Sequence, residues 1–237
     1  MKHQNNTGVS ARGAVTASLL ILFSFLLFAV VLIVPATRAV FEELSATHPY
    51  LMGFVKFALL ATSGELIALR MEKKRFETPP YLPARLLIWG LIGIWITLMM
   101  KIYFAGTGAL MTAGLLPGGA LSDGWSRLLR AFYTAVVMNT SFGPVFMALH
   151  KCSDTALALL ARGDGRLTLT RVLEEVNWRH FVSFTLMKTV PLFWIPAHTL
   201  TFLLPSAYQV MLAALLSVAL GILLHLRKKT ATNPTAE

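Results

Sequence analysis

The chain has 237 residues, of which 56% are hydrophobic and only 14% are charged, and its mean hydropathy is +0.65. Soluble domains carry about 25% charged residues, so this composition predicts an integral membrane protein whose main partner is the lipid bilayer. The net charge of +10 does not indicate a nucleic-acid partner, because the basic residues lie in short segments between apolar runs. The single cysteine, Cys152, excludes an internal disulfide and a cysteine-based metal site.

Six apolar runs predict an all-α fold, a polytopic transmembrane helix bundle that forms one domain over residues 14–229. A helix needs roughly 20 residues to cross the hydrocarbon core. The first run is longer than the apolar part of a signal peptide and ends at Pro35, so a retained span is favoured over a cleaved leader. The predicted spans are 14–34, 50–69, 86–103, 128–149, 180–204 and 207–226.

The segments between the spans have distinct compositions. Residues 36–49 predict a short amphipathic segment at the surface, and the glycine-rich residues 104–124 predict a helix end followed by a loop or a partly re-entrant turn. Residues 150–179 predict a helical cytoplasmic loop, in which Thr168 caps a short helix. A polar cytoplasmic tail is expected over residues 1–13 and a disordered tail over 230–237.

The fifth predicted span contains two prolines, Pro191 and Pro196. Proline lacks the backbone N–H and clashes with the carbonyl four residues earlier, so a kink or unwound turn is expected there. Lipid offers no donor to the freed carbonyls, and the break should therefore face protein or a wet cavity. His198 is the side chain expected closest to it. Pro144 predicts a second kink in the fourth span.

Polar side chains within the spans are the candidate lining of a pore or polar interior. The cost of an ionised group at depth predicts that Glu65 and Lys188 face the interior and lie close enough to interact, with Lys56 and Arg130 as competing partners for Glu65. Lys101 and Arg130 are close enough to span ends to extend to the interface. His198 has a second interpretation, a hydrogen bond to a carbonyl freed by the kink. The candidate residues are Glu65, Lys188, His198, Asn139, Ser63 and Thr62.

No catalytic signature occurs in the sequence. The chain has no GxSxG, HExxH or P-loop motif, and its six histidines are scattered without ligand spacing. We therefore predict no catalytic residues, no metal site and no cofactor, and not an enzyme.

The distribution of basic residues predicts the orientation in the membrane. With six spans and the N-terminus inside, the inner segments hold 15 lysines and arginines, against Arg38 and Arg127 in the outer loops. This bias places both termini in the cytoplasm, or in the matrix of a mitochondrion, and favours contact of the inner face with anionic lipids. The expected location is the inner membrane of a bacterium.

Over residues 50–226 the chain resembles the family of the twenty-two-kilodalton peroxisomal membrane protein and mitochondrial Mpv-seventeen, as a divergent bacterial member. The proline and aromatic motif of the family is similar to Phe142-Gly143-Pro144-Val145-Phe146, and its early Gly-Asp segment corresponds to Ala61–Glu65. The chain departs from the family at Met138-Asn139, where an Asp-Gln pair is usual, in its shorter Pro196-to-Pro205 spacing, and in having more than four spans. The residues of the helix breaks and of the family-like motifs are Pro144, Phe146, Trp178, Pro191, Trp194, Pro196, Phe202 and Pro205.

The resemblance implies a pore or a solute-conducting role. With the polar span residues, it favours a channel-like or carrier-like protein that passes a small solute or ion through a bundle lined by the second, fourth and fifth spans. The alternative is a structural scaffold protein whose polar residues only lock helices together, and an intramembrane enzyme is the third hypothesis. The sequence leaves a homo-oligomer open.

Overall fold

The structure is a computed structural model that describes residues 11–163 and 165–231, and no strand occurs among these residues. The all-α prediction is confirmed, whereas the tails predicted over 1–13 and 230–237 lie largely outside the described residues. In the described part, a π-helix over Phe181–Trp194 accompanies nine α-helices: α1 Ala11–Ile33, α2 Pro35–Thr47, α3 Pro49–Lys73, α4 Leu82–Thr112, α5 Asp123–Arg162, α6 Leu169–Glu175, α7 Trp178–His180, α8 Ile195–Leu203 and α9 Ser206–Ala231.

Four helices of the described chain are long and apolar enough to cross a membrane, namely Arg12–Ile33, Pro49–Lys73, Leu82–Thr112 and Asp123–Arg162. The most apolar window of the first is only 17% buried, and apolar side chains such as Leu22 and Phe23 are more than half exposed. Surfaces of this kind suit contact with lipid. The helices therefore indicate a membrane protein, although the predicted count of six spans is not confirmed, because the apolar stretch found within α9, Ser206–Leu220, is shorter than the other four.

The α3 helix lies at the centre of the bundle and packs against α1, α4 and α9. Its contact with α4 depends on glycine. A Cβ atom on Gly53 would overlap Thr97 and the carbonyl of Gly93, and one on Gly93 would overlap the carbonyl of Gly53. The backbones of the two helices therefore touch, a close approach that small residues at a helix contact permit.

Two helices are longer than the predicted spans. The α4 helix begins at Leu82 rather than at residue 86, with Pro83 in its first turn, a position that proline favours. The 40 residues of α5 are helical without interruption through Pro144, so the fourth span and the predicted helix after His150 are one helix about 60 Å long. Gly163, in the left-handed conformation at φ 69°, ends it.

The segments between the long helices follow the sequence more closely. The amphipathic segment over 36–49 is the helix α2, whose Phe41 and Ser45 are buried. In the loop over 150–179, the hydroxyl of Thr168 accepts a hydrogen bond from the backbone N–H of Arg171 at 3.3 Å, which confirms the predicted cap. The glycine-rich segment is a helix end followed by turns over 113–122.

The fifth apolar run departs from an α-helix in a specific way. Residues Phe181–Trp194 form a π-helix that includes Pro191, and α8 continues directly from Ile195. At the junction, the N–H of Ile195 donates to the carbonyl of Val190, five residues earlier. The break expected at the prolines is therefore a change of helix type. Hydrogen bonds in the π-helix join residues five apart, and this spacing accommodates Pro191, which has no backbone N–H to donate.

Candidate functional site

A cavity of about 630 Å³ lies inside the bundle, between α3, α4, α5, the π-helix, α8 and α9. On α5 its lining runs from Met138 to Asp154, a length of about 24 Å at the rise of an α-helix. The predicted second, fourth and fifth spans all contribute residues, and α4 and α9 complete the wall.

One end of the cavity, which we call the mouth, is formed by charged and polar side chains. Arg85 makes an ion pair with Glu65 through Nη1, and the same nitrogen lies 3.5 Å from Asp154 Oδ1. Asp154 Oδ2 is 3.5 Å from His150 Nε2, one turn earlier on α5. The side chains of Glu65 and Asp154 are 27% and 39% exposed, so the mouth is accessible from outside the bundle.

Aromatic rings hold the mouth residues in place. The indole N–H of Trp89 donates to Glu65 Oε2 at 3.2 Å, so that carboxylate has a partner on each oxygen. The Trp89 ring centre lies 4.2 Å from that of His150, and Phe146 stacks on the imidazole with ring centres 6.3 Å apart. His150 therefore contacts both an aromatic cluster and the carboxylate of Asp154.

The deep end of the cavity has one polar pair. His198 Nδ1 lies 3.0 Å from Asn139 Oδ1, and Asn139 Nδ2 donates to the carbonyl of Ala135 at 2.7 Å. Trp194 stacks on the imidazole of His198, with ring centres 5.4 Å apart. The hydrogen bond of His198 thus goes to Asn139 rather than to a carbonyl freed by the prolines.

Beyond this pair the bundle is closed by packed side chains, and we call this part the closed half. The ring of Phe202 stacks on Phe104 at 5.8 Å, and both Ala131 and Ala135 are fully buried. Thr107 and Thr134 exchange a hydrogen bond of 2.6 Å across α4 and α5. None of these residues lines the cavity, which is therefore open at the mouth and blocked at the other end.

The predicted pair of Glu65 and Lys188 is wrong. Lys188 is exposed on the outside of the bundle, and Glu65 bonds Arg85 and Trp89 instead. The prediction rested on the cost of a charge at depth and took no account of the helix type; a π-helix turns less per residue than an α-helix and places Lys188 on another face.

Two further candidates lie outside the cavity lining. Thr62 and Ser63 are 1% and 0% exposed, and their hydroxyl oxygens have no hydrogen-bond partner among the described residues. They are buried in helix contacts of α3 rather than directed into a pore. Of the six predicted interior residues, Glu65, Asn139 and His198 line the cavity.

The residues of the family-like motifs have varied surroundings. Phe146 and Trp194 line the cavity, and Phe202 belongs to the closed half. Trp178 donates its indole N–H to the carbonyl of Leu173 at 2.8 Å. The four prolines shape helices: Pro144 lies inside α5, Pro191 inside the π-helix, Pro196 in the first turn of α8, and Pro205 just before α9.

Two basic side chains form internal contacts. Lys56 is 2% exposed, and its Nζ donates to Ser45 Oγ at 2.8 Å and to the carbonyl of Ala207 at 2.7 Å, which ties α2, α3 and α9 together. Arg130 donates to the carbonyl of Phe104 at 2.8 Å and lies over its ring. Lys101, by contrast, is exposed.

Sequence reasoning missed three mouth residues. Arg85 was assigned to a loop because the start of α4 was placed four residues too late, although Pro83 is a typical signal for a helix start. His150 and Asp154 were assigned to a cytoplasmic loop, yet their spacing of four puts both on one face of α5. No group of three or more potential metal-ligating side chains occurs among the described residues.

The chain gives no significant match to a protein-family model, a curated protein or a solved structure. Its fold and cavity define the class of the molecule: in its described part, an all-helical protein with four helices long and apolar enough to cross a membrane and an internal cavity open at one end. The resemblance to the family of the peroxisomal membrane protein stays a prediction.

Proposed function

We propose that the protein is a carrier-like or channel-like membrane protein that moves a small solute through its internal cavity. The observation that carries this proposal is the one-sided cavity of about 630 Å³, with polar groups at the mouth and at its deep end. A volume of this size accommodates one small organic molecule. A cavity that is blocked at one end is typical of a carrier or of a closed channel, whereas a continuous pore would be open at both.

The proposal includes a six-span topology. The π-helix and α8 together form the fifth span, and α9 forms the sixth. With this topology most lysines and arginines outside the spans lie in the inner segments, as the positive-inside rule requires. The mouth faces the cytoplasm of a bacterium, on the side of the segments 70–85 and 150–179, where anionic lipids pair with the basic residues. Membership of the family that the motifs resemble is part of this proposal.

Reporter fusions test the topology. Fusions after Arg75 and after Lys229 should report the cytoplasmic side, and one after Asp123 the opposite side. A cytoplasmic signal after Asp123 would contradict the six-span arrangement.

Transport is tested in proteoliposomes with labelled K⁺, phosphate, glycerol, sucrose and L-tryptophan. Apart from its neighbours along the chain, a Cβ on Gly143 meets no atom closer than 3.7 Å, and it lies at the cavity wall, so Gly143→Phe should obstruct the cavity from inside. We expect uptake of at least one solute by the wild type, and uptake equal to that of empty liposomes for Gly143→Phe.

The matched control is Gly106→Phe, since Gly106 is an exposed helical glycine of α4 with no atom within 4 Å of an added Cβ. It should transport as the wild type does. No uptake of any solute by a folded wild-type protein would overturn the proposal.

A structural scaffold is the second candidate, and the Lys56 contacts favour it. The bonds from Lys56 to Ser45 and to Ala207 hold three helices together and have no relation to the cavity. A scaffold would retain its function when Gly143→Phe fills the cavity, so the same variant separates the two candidates.

A further inference from the structure

The hydrogen-bonding character of the deep end follows from one chain of contacts. The carbonyl oxygen of Ala135 only accepts, so the Asn139 atom that contacts it at 2.7 Å is the amide nitrogen Nδ2. The amide oxygen Oδ1 therefore faces His198 Nδ1 at 3.0 Å. Because an amide oxygen cannot donate, Nδ1 carries the proton, and Nε2 of the neutral imidazole is a hydrogen-bond acceptor.

The Nε2 atom of His198 has no hydrogen-bond partner in the described part of the chain. Nε2 differs from four side-chain atoms that have no partner and no solvent-accessible surface. Those four atoms belong to Thr62, Ser63, His150 and Trp194. His198 is only 9% exposed and lines the cavity. The accessible surface of Nε2 therefore opens into the cavity, where it can accept a hydrogen bond from a ligand.

The walls around this acceptor are mostly aromatic. Charged groups are confined to the mouth, where Glu65 and Asp154 are balanced by Arg85 and Lys151. The deeper wall would not replace the hydration shell of an ion, and it offers flat apolar surfaces for stacking. Six aromatic side chains line the cavity: Phe57, Trp89, Phe142, Phe146, Phe181 and Trp194.

We propose that the cavity binds a neutral organic molecule with an aromatic body and a hydroxyl or N–H group, which donates a hydrogen bond to His198 Nε2. An acyl chain of a lipid fills apolar space but has no donor for this nitrogen, and an ion has no favourable contact with the aromatic wall. Asn139 is the positioning residue, because its Oδ1 fixes which imidazole nitrogen accepts. This ligand class is also the substrate class of the proposed transport function. Binding of the ligand does not depend on that function, and only its transport rests on it.

Binding is measured by scintillation proximity with tritiated 2-naphthol and the purified protein in detergent. The competitor 2-methylnaphthalene has nearly the same shape and lacks the O–H group. We expect saturable binding of 2-naphthol, and about fivefold weaker competition by 2-methylnaphthalene than by unlabelled 2-naphthol, the factor that one neutral hydrogen bond contributes. Equal competition by both compounds would overturn the role of Nε2.

The double variant His198→Phe with Asn139→Leu removes the acceptor and leaves no unpaired amide behind. It should bind 2-naphthol about fivefold more weakly and 2-methylnaphthalene as the wild type does. If the double variant fails to fold, the comparison of Gly143→Phe with Gly106→Phe still tests the site. Binding should be lost in the first and unchanged in the second, and binding retained in a folded Gly143→Phe protein would overturn the proposal.

Three further outcomes are decisive. Displacement of 2-naphthol by an equal concentration of solubilised phosphatidylcholine would show that the cavity holds an acyl chain, which overturns the proposal. Binding of 2-naphthol without uptake of any solute by proteoliposomes would uphold the ligand site and reject the transport function. Uptake of solutes by a protein that does not bind 2-naphthol would do the reverse.

Discussion

The two halves of the bundle are built from the same helices and differ in how their facing side chains fill the space between them. In the closed half, fully buried Ala131 and Ala135 allow close packing, and Phe202 stacks on Phe104. In the cavity half, Gly143 leaves open space beside it, and the aromatic rings line that space without filling it. The closed half therefore supplies stability, and the cavity half supplies the room for a ligand.

The largest difference between the halves is expected for truncation of a large ring. Phe202→Ala opens a void in the closed half and should lower the free energy of unfolding by about 3 kcal/mol. Phe146→Ala only enlarges an existing cavity and should cost about 1 kcal/mol, since fewer contacts are lost. Thermal unfolding in detergent compares them, and equal losses would contradict the distinction.

Addition of a methyl group tests the same contrast from the opposite direction. Gly53→Ala places a Cβ against Thr97 and the backbone of Gly93, so it should destabilise the fold by about 2 kcal/mol. Gly143→Ala places its Cβ at ordinary van der Waals distance from Met138 and Asn139, so it should cost less than Gly53→Ala, and its cost should come from the Cβ that precedes Pro144 in the helix. A tolerated Gly53→Ala would show that the α3–α4 contact is looser than the structure has it.

A smaller effect is expected at the mouth. Arg85→Met leaves Glu65 with Trp89 as its remaining partner and should cost about 1 kcal/mol, a value reduced from that of a buried pair because Glu65 is a quarter exposed. Adding Glu65→Gln to Arg85→Met should restore most of the loss. Additive effects in this double-mutant cycle would contradict the pairing.

The smallest effect concerns a carboxylate outside the spans. Glu77 accepts a hydrogen bond from Lys73 and lies near Arg75, which lowers the pKa of Glu77 below its ordinary value of 4.5. A lowered pKa stabilises the fold above pH 4.5, and this contribution is lost as the pH falls through the folded pKa. Glu77→Gln should change the melting temperature by less than about 2 °C at pH 7, with no difference from the wild type in strong acid.

The sequence was sufficient for the features that depend on local pattern. Hydropathy identified the helical membrane class, and Thr168 marked a helix start. Asn139 and His198 were selected because polar groups at depth need partners, and they are bonded to each other.

The mouth could not be predicted for two physical reasons. The helices α4 and α5 continue past the hydrophobic runs, so Arg85 and Asp154 lie in helical turns that hydropathy assigned to loops. The π-helix also changes the angular position of Lys188, and a proline in the sequence indicates a break without specifying its hydrogen-bonding pattern. Which side chains meet across distant helices depends on the angular position of each residue around its helix axis. The local sequence pattern does not specify that position.

The central claim is that water reaches the cavity from the mouth and not through the closed half. It is tested by thiol labelling of single cysteines on α5, introduced after Cys152→Ala removes the native thiol. A membrane-impermeant methanethiosulfonate reagent is added to membrane vesicles of either orientation. Phe146→Cys should react only from the side of the segment 70–85, and Ala135→Cys from neither side. Reaction of Ala135→Cys from the opposite side, or no reaction of Phe146→Cys from either, would contradict the account.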